Sequence, residues 1–302
     1  MERRSLIQIS LLLFFSCLAI PCSRAEGSNP TPPLFQRVAI IGASVSAGFC
    51  SDEFLGGPRT PEYRLANYFS EALTCDHEPI VSRADKTFFT RAKESLEQQI
   101  TETLEAKPSL VIGLDSLFWC CYGSRLSPAQ RLELFEFGLK QLDRIEQPLV
   151  VGDLPDARHS IGKILSAEQV PSPEVLMKCN GRLKEWAAGK KNVALFPFAT
   201  MMSAAVSRQP LELGGRTWDK DLAGTLLQRD LLHPSPLGLS AIAVGTLDAI
   251  GTIAVPPIPQ TLYHRDLDAV TKGAVALGVK QSQERAAAEK RKAEQGAPVP
   301  AN

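Results

Sequence analysis

The sequence carries no excess of charge and no basic block. Its 33 Lys and Arg residues balance 33 Asp and Glu residues, so the formal net charge is zero. Domains that bind nucleic acid usually present a basic patch or stripe, so this composition predicts no nucleic-acid partner. Glycine-rich loops of the kind that cradle phosphates are also absent.

Histidine and cysteine are too sparse, and too poorly spaced, to indicate a metal site. The four histidines show no His-x-x-x-His spacing, and the seven cysteines include no Cys-x-x-Cys pair. After removal of a signal peptide, five cysteines would remain: Cys50, Cys75, Cys120, Cys121 and Cys179. An odd number leaves at least one thiol without an intramolecular partner. We therefore expect neither a disulfide framework nor a bound metal.

No apolar run reaches the roughly 20 residues that cross a bilayer. The longest, residues 6–20, follows a basic start and precedes Ser23-Arg24-Ala25, a small-x-small site. We predict a signal peptide over residues 1–25, cleavage after Ala25, and a secreted or periplasmic protein with no membrane span after cleavage. An uncleaved anchor is the alternative.

Five short apolar runs alternate with amphipathic helical patterns. The runs lie at residues 37–43, 79–84, 109–114, 148–152 and 192–197. This alternation predicts an α/β fold in which a parallel sheet carries helices on both faces.

Composition changes mark the domain boundaries. A Gly, Ser and Pro-rich stretch predicts a flexible leader over residues 26–36, and two adjacent prolines mark the end of a domain over residues 37–257. Residues 258–302 are helix-prone and increasingly charged. We expect a charged helical, partly disordered tail, either solvated or docked on a partner.

The first apolar run ends in Gly42-Ala43-Ser44-Val45-Ser46-Ala47-Gly48. Open α/β sheets bind ligands at the carboxyl ends of their strands, so Ser44 is a candidate nucleophile. Alternatively, Ser44 merely caps the next helix.

A second motif lies far along the chain, at Asp230-Leu231-Leu232-His233-Pro234. A carboxylate three residues before an imidazole can bind its Nδ1 and leave Nε2 free to take a proton from a serine hydroxyl. Alone, the motif is short enough to arise by chance, with Asp230 capping a helix beside a surface histidine.

Together the two motifs resemble the SGNH/GDSL hydrolase superfamily, whose first block is Gly-Asp-Ser-x-Ser-x-Gly and whose last is Asp-x-x-His-Pro. The resemblance spans residues 37–253. It implies a three-layer α/β/α sandwich with a five-stranded, flavodoxin-like parallel sheet, without metal or cofactor. It also implies that Ser44 is the nucleophile, His233 the general base and then acid, and Asp230 the orienting carboxylate.

The sequence departs from this family where the oxyanion donors belong. Besides the Ser44 N–H, the family uses a backbone N–H after the second strand, where Ala84 is the candidate, and an Asn after the third strand, where Asp115 stands. An ionised carboxylate cannot donate a hydrogen bond. Three outcomes are open: Asp115 is held protonated and donates, Ser116 donates in its place, or the activity is low. Alternatively, Asp115 faces away from the site and caps the following helix.

The aromatic residues Phe118, Trp119 and Tyr122 follow the third strand and could line a substrate pocket, a lid or the core. We expect an exported serine esterase that acts on a small-molecule acyl ester, an acetylated glycan or a lipid. The alternative is a non-catalytic envelope binding protein that keeps the fold.

Overall fold

The core of the protein is a parallel sheet of five short strands. The computed structural model describes residues 33–296, with the side chains of residues 33–292. The strands are β1 (Val38–Ile40), β2 (Val81–Ser82), β3 (Leu110–Gly113), β4 (Leu149–Gly152) and β5 (Val193–Phe196). They pair in the order β2-β1-β3-β4-β5, and every neighbouring pair is parallel. The predicted α/β class and sheet are confirmed.

The central strands are apolar along their whole length because helices cover both faces of the sheet. Every residue of β1, β3 and β4 is buried. Such strands read as continuous apolar runs rather than as alternating ones. The observed strands are shorter than the predicted runs, although pairing continues beyond β1, where the Ile41 N–H donates to the Ile112 carbonyl at 2.9 Å.

Ten α-helices lie in the described part of the chain. They are α1 (Ser44–Ala47), α2 (Leu65–Ala72), α3 (Ala92–Glu105), α4 (Phe118–Cys121), α5 (Pro128–Leu142), α6 (Pro173–Ala188), α7 (Phe198–Ser207), α8 (Lys220–Ala223), α9 (Pro236–Ile250) and α10 (Leu267–Gly296). Helices α3, α5 and α6 pack in sequence as one group, and α2, α9 and α10 pack as another. With the sheet, these groups form the three layers of the fold.

A small hairpin follows α7 and was not predicted. Strands β6 (Leu211–Leu213) and β7 (Arg216–Trp218) pair antiparallel around Gly214-Gly215, both with φ near +65°. Two residues with positive φ are what a tight hairpin turn needs. Trp218 is fully buried, and its Nε1 donates to the Leu213 carbonyl at 3.0 Å.

Helix α10 differs from the expected tail in its first half. Leu267, Val270 and Ala274 are buried against the domain. Further along, the Gln281 side chain exchanges hydrogen bonds with Asn67 of α2, at 3.0 and 3.4 Å. From residue 283 onward the described side chains are exposed. The domain therefore includes the beginning of the segment that was predicted as a tail.

The N-terminal predictions are only partly covered. The predicted signal peptide and cleavage site lie outside the described residues. At the end of the predicted leader, Phe35 is fully buried and the Leu34 carbonyl accepts a hydrogen bond from Ser109 Oγ at 3.0 Å. The ordered domain thus begins before residue 37. Within residues 33–296, no helix combines the length and apolarity that a membrane span requires.

Candidate active site

The turn between β1 and α1 places Ser44 at the carboxyl edge of the sheet. Gly42 adopts φ of +143°, and a side chain there would collide with the Asp115 carboxylate. The Gln99 amide of α3 binds both polar groups of Gly42: its oxygen accepts the Gly42 N–H at 2.8 Å and its nitrogen donates to the Gly42 carbonyl at 3.0 Å. This buried pair of hydrogen bonds holds the turn from which Ser44 begins α1.

Ser44, His233 and Asp230 form one hydrogen-bonded chain. Ser44 Oγ lies 2.8 Å from His233 Nε2, and His233 Nδ1 lies 2.7 Å from Asp230 Oδ2. With a proton on Nδ1 donated to the carboxylate, Nε2 is the acceptor for the serine hydroxyl. The geometry therefore brings together the three residues for which the sequence predicted catalytic roles.

The Asp230 carboxylate is held on both of its oxygens. Oδ1 accepts the backbone N–H groups of Leu232 and His233 at 3.0 and 2.9 Å. Burial alone would raise the pKa of Asp230, but the hydrogen bonds and charge of His233 and these N–H groups keep that pKa below its ordinary value. Asp230 therefore stays ionised beside the imidazole at neutral pH.

The turn that carries His233 is braced from outside. Leu231 adopts a left-handed φ of +58°, and its carbonyl accepts a hydrogen bond from the buried Ser160 Oγ at 3.0 Å. The Gln228 N–H closes the turn on the His233 carbonyl at 2.8 Å. The strained Leu231 backbone persists because these neighbours hold it.

Gln228 also ties this turn to the loop that follows Ser44. Its Nε2 donates to the carbonyls of Phe49 and Pro234, both at 2.8 Å, and its Oε1 accepts the Ser51 N–H at 2.8 Å. The Phe49 ring in turn stacks on the His233 imidazole, with centroids 4.0 Å apart and planes at 22°. Sequence reasoning missed both residues, because neither lies in a motif and only the fold brings the two loops together.

Asp115 does not have the geometry of an oxyanion donor. Its Oδ2 accepts the N–H groups of Val45 at 2.8 Å and Ser46 at 3.3 Å, and its Oδ1 accepts the Ser46 hydroxyl at 2.6 Å. The carboxylate thus caps α1, the helix of Ser44, and not the helix that follows it in sequence. Burial raises the pKa of Asp115, against the opposing effect of these hydrogen bonds. Ser116 is also unsuited as the replacement donor, because its hydroxyl donates to the Gly113 carbonyl at 2.8 Å.

Ala84, the other predicted oxyanion residue, lines neither cavity that Ser44 lines. It faces a separate cavity of about 990 Å³ that lies between α10 and the β2 edge of the sheet. The N–H groups on either side of it, from Arg83 and Asp85, donate to the carbonyls of Ile40 and Gly42 at 2.8 and 3.0 Å. The Ala84 N–H itself forms no hydrogen bond within the described residues, so its role as a second oxyanion donor stays a prediction.

The three aromatic residues predicted for the pocket have different surroundings. Trp119 lines a cleft of about 340 Å³ together with Ser44 and His233, and Phe118 lines a separate small cavity of about 20 Å³ that Ser44 also lines. Tyr122 is fully buried and its hydroxyl donates to the Pro155 carbonyl at 2.5 Å. The pocket prediction is wrong for Tyr122, because its ring packs on Phe118 and its hydroxyl holds the loop after β4.

Arg131 of α5 holds the loop that carries Gln169 of the cleft. Its guanidinium is buried and donates to four backbone carbonyls, at 2.7 to 3.2 Å: those of Cys121, Gly123, Glu168 and Gln169. Burial lowers the pKa of Arg131, but the group remains a cation at neutral pH. One side chain thus joins the end of α4 to the loop before α6.

The five cysteines of the described residues are buried free thiols. Burial raises the pKa of Cys120 to about 12. Interaction with the Cys179 thiol, together with burial, raises the pKa of Cys121 above its ordinary value. None of the five lines the cleft at Ser44, so they serve packing rather than a second nucleophile.

Comparison with known proteins finds similarity in fold. No family profile matches the chain, and no curated protein matches it by sequence. Among solved structures, a lipase/acylhydrolase from Enterococcus faecalis is 15% identical with a TM-score of 0.49, the match covering 74% of this chain and 99% of that one. A putative acylhydrolase from Bacteroides fragilis is 14% identical with a TM-score of 0.45, covering 71% and 86%. The esterase EstA from Pseudoalteromonas sp. is 12% identical with a TM-score of 0.40, covering 71% and 96%.

Proposed function

We propose that this protein is an exported serine hydrolase that cleaves carboxylic esters through an acyl-enzyme on Ser44. The observation that carries the proposal is the unbroken chain Ser44–His233–Asp230, with contacts of 2.8 and 2.7 Å. A serine hydroxyl becomes a nucleophile when an adjacent base takes its proton and a third group orients that base. The export step rests on the predicted signal peptide.

The reaction follows from the roles of these three residues. Ser44 Oγ attacks the ester carbonyl while His233 Nε2 accepts its proton, and Asp230 stabilises the imidazolium that forms. His233 then protonates the leaving alcohol as the carbon–oxygen bond breaks. Water, deprotonated by the same imidazole, attacks the acyl-enzyme and releases the carboxylic acid and free Ser44.

Stabilisation of the oxyanion is the weak part of this site. The Ser44 N–H forms no hydrogen bond in the described part of the chain, so it can donate to the oxyanion, whereas the next two N–H groups of α1 are bound to Asp115. Loss of one oxyanion donor typically costs about 10²–10³ in rate. We therefore expect slow turnover compared with enzymes that have a complete oxyanion hole.

The test compares wild-type protein with Ser44→Ala and His233→Ala on p-nitrophenyl acetate, and follows labelling of Ser44 by an alkyl fluorophosphonate. Each substitution should abolish turnover, and labelling should be lost in Ser44→Ala. Circular dichroism checks that the variants fold. Equal rates for wild type and Ser44→Ala would reject the hydrolase.

The second candidate is a non-catalytic binding protein with the same fold. The observation in its favour is that Asp115 accepts hydrogen bonds from α1 and so is not arranged as an oxyanion donor. It predicts no labelling of Ser44 and no turnover above that of Ser44→Ala.

A further inference from the structure

The lining of the cleft at Ser44 indicates a substrate class. We propose that this cleft binds the hydrocarbon chain of an aliphatic acyl ester, with the carbonyl at Ser44 and the chain extending away from it. This inference rests on the proposed ester hydrolysis and chooses among the acyl, glycan and lipid substrates that the sequence left open.

The cleft is predominantly apolar. Eight of its thirteen lining residues are apolar, and its volume of about 340 Å³ is within the usual range for small-molecule sites. Trp119, Leu165 and Leu232 are nearly buried and form its inner part. A hydrocarbon chain that enters gains the free energy of leaving water without requiring hydrogen-bond partners.

Aromatic side chains form two walls that lead from solvent to the reacting atoms. On one side, Phe54 packs edge-on against Phe49, 6.0 Å between centroids, and Phe49 stacks on His233. On the other, Phe89 packs against Trp119 at 5.5 Å. A chain between these walls would contact aromatic rings from the rim to Ser44.

The rim exposes apolar surface that the fold itself does not use. Phe54, Leu55 and Phe89 are 62%, 91% and 52% exposed. They are three of the seven large hydrophobic residues exposed in the described part of the chain, and all three line this one cleft. Isolated exposed apolar residues are ordinary, whereas a cluster at the mouth of a site indicates an apolar ligand.

A sugar would find few partners here. Apart from Ser44 and His233, the polar lining residues are Lys86, Thr87 and Gln169. The Thr87 hydroxyl already donates to the Asp85 carboxylate at 2.7 Å, and its N–H donates to the same carboxylate at 2.8 Å. Recognition of a glycan needs several placed donors and acceptors, so the acyl chain fits the cleft better.

The experiment measures kcat/KM for p-nitrophenyl esters from acetate through butyrate, hexanoate and octanoate to dodecanoate, below their micellar concentrations. We expect kcat/KM to rise by up to about fourfold per added methylene until the cleft is filled. Phe89→Ser removes part of one wall, and Ile164→Trp fills part of the cleft. Each should lower the ratio of octanoate to acetate kcat/KM by about tenfold, roughly the effect of two methylenes.

Met177→Ser is the matched control, because Met177 is 68% exposed on α6 and lies outside the cleft. Its octanoate-to-acetate ratio should equal that of wild type. A ratio at or below one in the wild type, with turnover that still requires Ser44, would overturn the acyl-chain site and leave the hydrolase standing. A ratio that falls equally in all three variants would also overturn it. Absence of Ser44-dependent turnover on every ester would instead reject the hydrolase.

Discussion

The Asp115 carboxylate acts on Ser44 through the first turn of α1. It accepts two N–H groups and one hydroxyl there, and an amide at this position has only one oxygen to accept them. We expect Asp115→Asn to lower turnover by about tenfold, the equivalent of about 1.4 kcal/mol in the barrier. It should also lower the free energy of unfolding by about 1–3 kcal/mol.

Asp266→Asn is the matched control, since Asp266 accepts two N–H groups at the start of α10 from an exposed position. Asp266→Asn should lower the free energy of unfolding by about 1 kcal/mol or less and leave turnover unchanged. Esterase assays and urea denaturation measure both effects. A higher rate in Asp115→Asn would mean that residue 115 faces the oxyanion after all.

The two buried carboxylates of the site should give stability opposite dependences on pH. The pKa of Asp230 is lowered in the folded protein, so its contribution is present above its unfolded pKa of about 3.9 and is lost as the pH falls through the lower folded value. The pKa of Asp115 is raised, so its contribution is full below about 3.9 and declines as the pH rises through the folded value.

As the pH is lowered, the stability advantage of wild type over Asp230→Asn should therefore shrink. Over the same range, wild type should become more stable relative to Asp115→Asn. Urea denaturation of the three proteins across the acidic range measures both. Parallel pH profiles for the two variants would contradict the assignment of these environments.

We expect Gln228 to affect catalysis by position alone, because it connects the His233 turn to the loop after Ser44 and forms no hydrogen bond with the Ser44 hydroxyl. Gln228→Ala removes two side-chain hydrogen bonds between these loops, to Phe49 and Ser51, and one within the His233 turn, to Pro234. A small misplacement of catalytic groups can cost about 10²-fold in rate. We expect a fall in kcat of about 10- to 100-fold with a smaller change in KM, while Gln98→Ala on the exposed face of α3 leaves kcat unchanged. A change confined to KM would mean that Gln228 shapes binding rather than the relay.

At the scale of elements, the close packing of α10 depends on a glycine. A side chain at Gly278 would collide with the backbone of Pro61 and Glu62, which cannot move aside as a flexible side chain could. We expect Gly278→Ala to lower the free energy of unfolding by about 1–3 kcal/mol. Gly181→Ala in α6 has free space around the new methyl group and should raise it by up to about 1 kcal/mol. Thermal denaturation compares the two, and a gain at both positions would show that α10 does not pack as described.

The sheet could be predicted because its central strands β1, β3 and β4 are buried on both faces, and such strands appear in the sequence as continuous apolar runs. The β6–β7 hairpin could not, because Leu211–Leu213 and Arg216–Trp218 mix polar and apolar residues and are too short to show an alternating pattern. The packing of α10 was hidden for a related reason: its contacts use Ala274, Gly273 and Gly278, small residues that allow close approach but carry little apolar signal.

The site was predictable in part. That Ser44, Asp230 and His233 lie together could be predicted, because the chemistry of a relay constrains both residue type and local spacing. The orientations of Asp115 and Tyr122 could not, since a residue at the end of a strand can face the cleft or a neighbouring helix with the same sequence. Phe49 and Gln228 lie outside any motif, and their contacts exist only across loops distant in the chain.

For the whole molecule, the four-carbonyl contact of Arg131 has a consequence for solution behaviour. An ion pair weakens when acid neutralises its carboxylate or when salt screens two exposed charges. A buried guanidinium that faces main-chain oxygens alone has no acidic partner to lose. The segment between α4 and α6 should consequently keep its shape across changes in ionic strength and mild acidity that loosen the exposed ion pairs elsewhere on the surface.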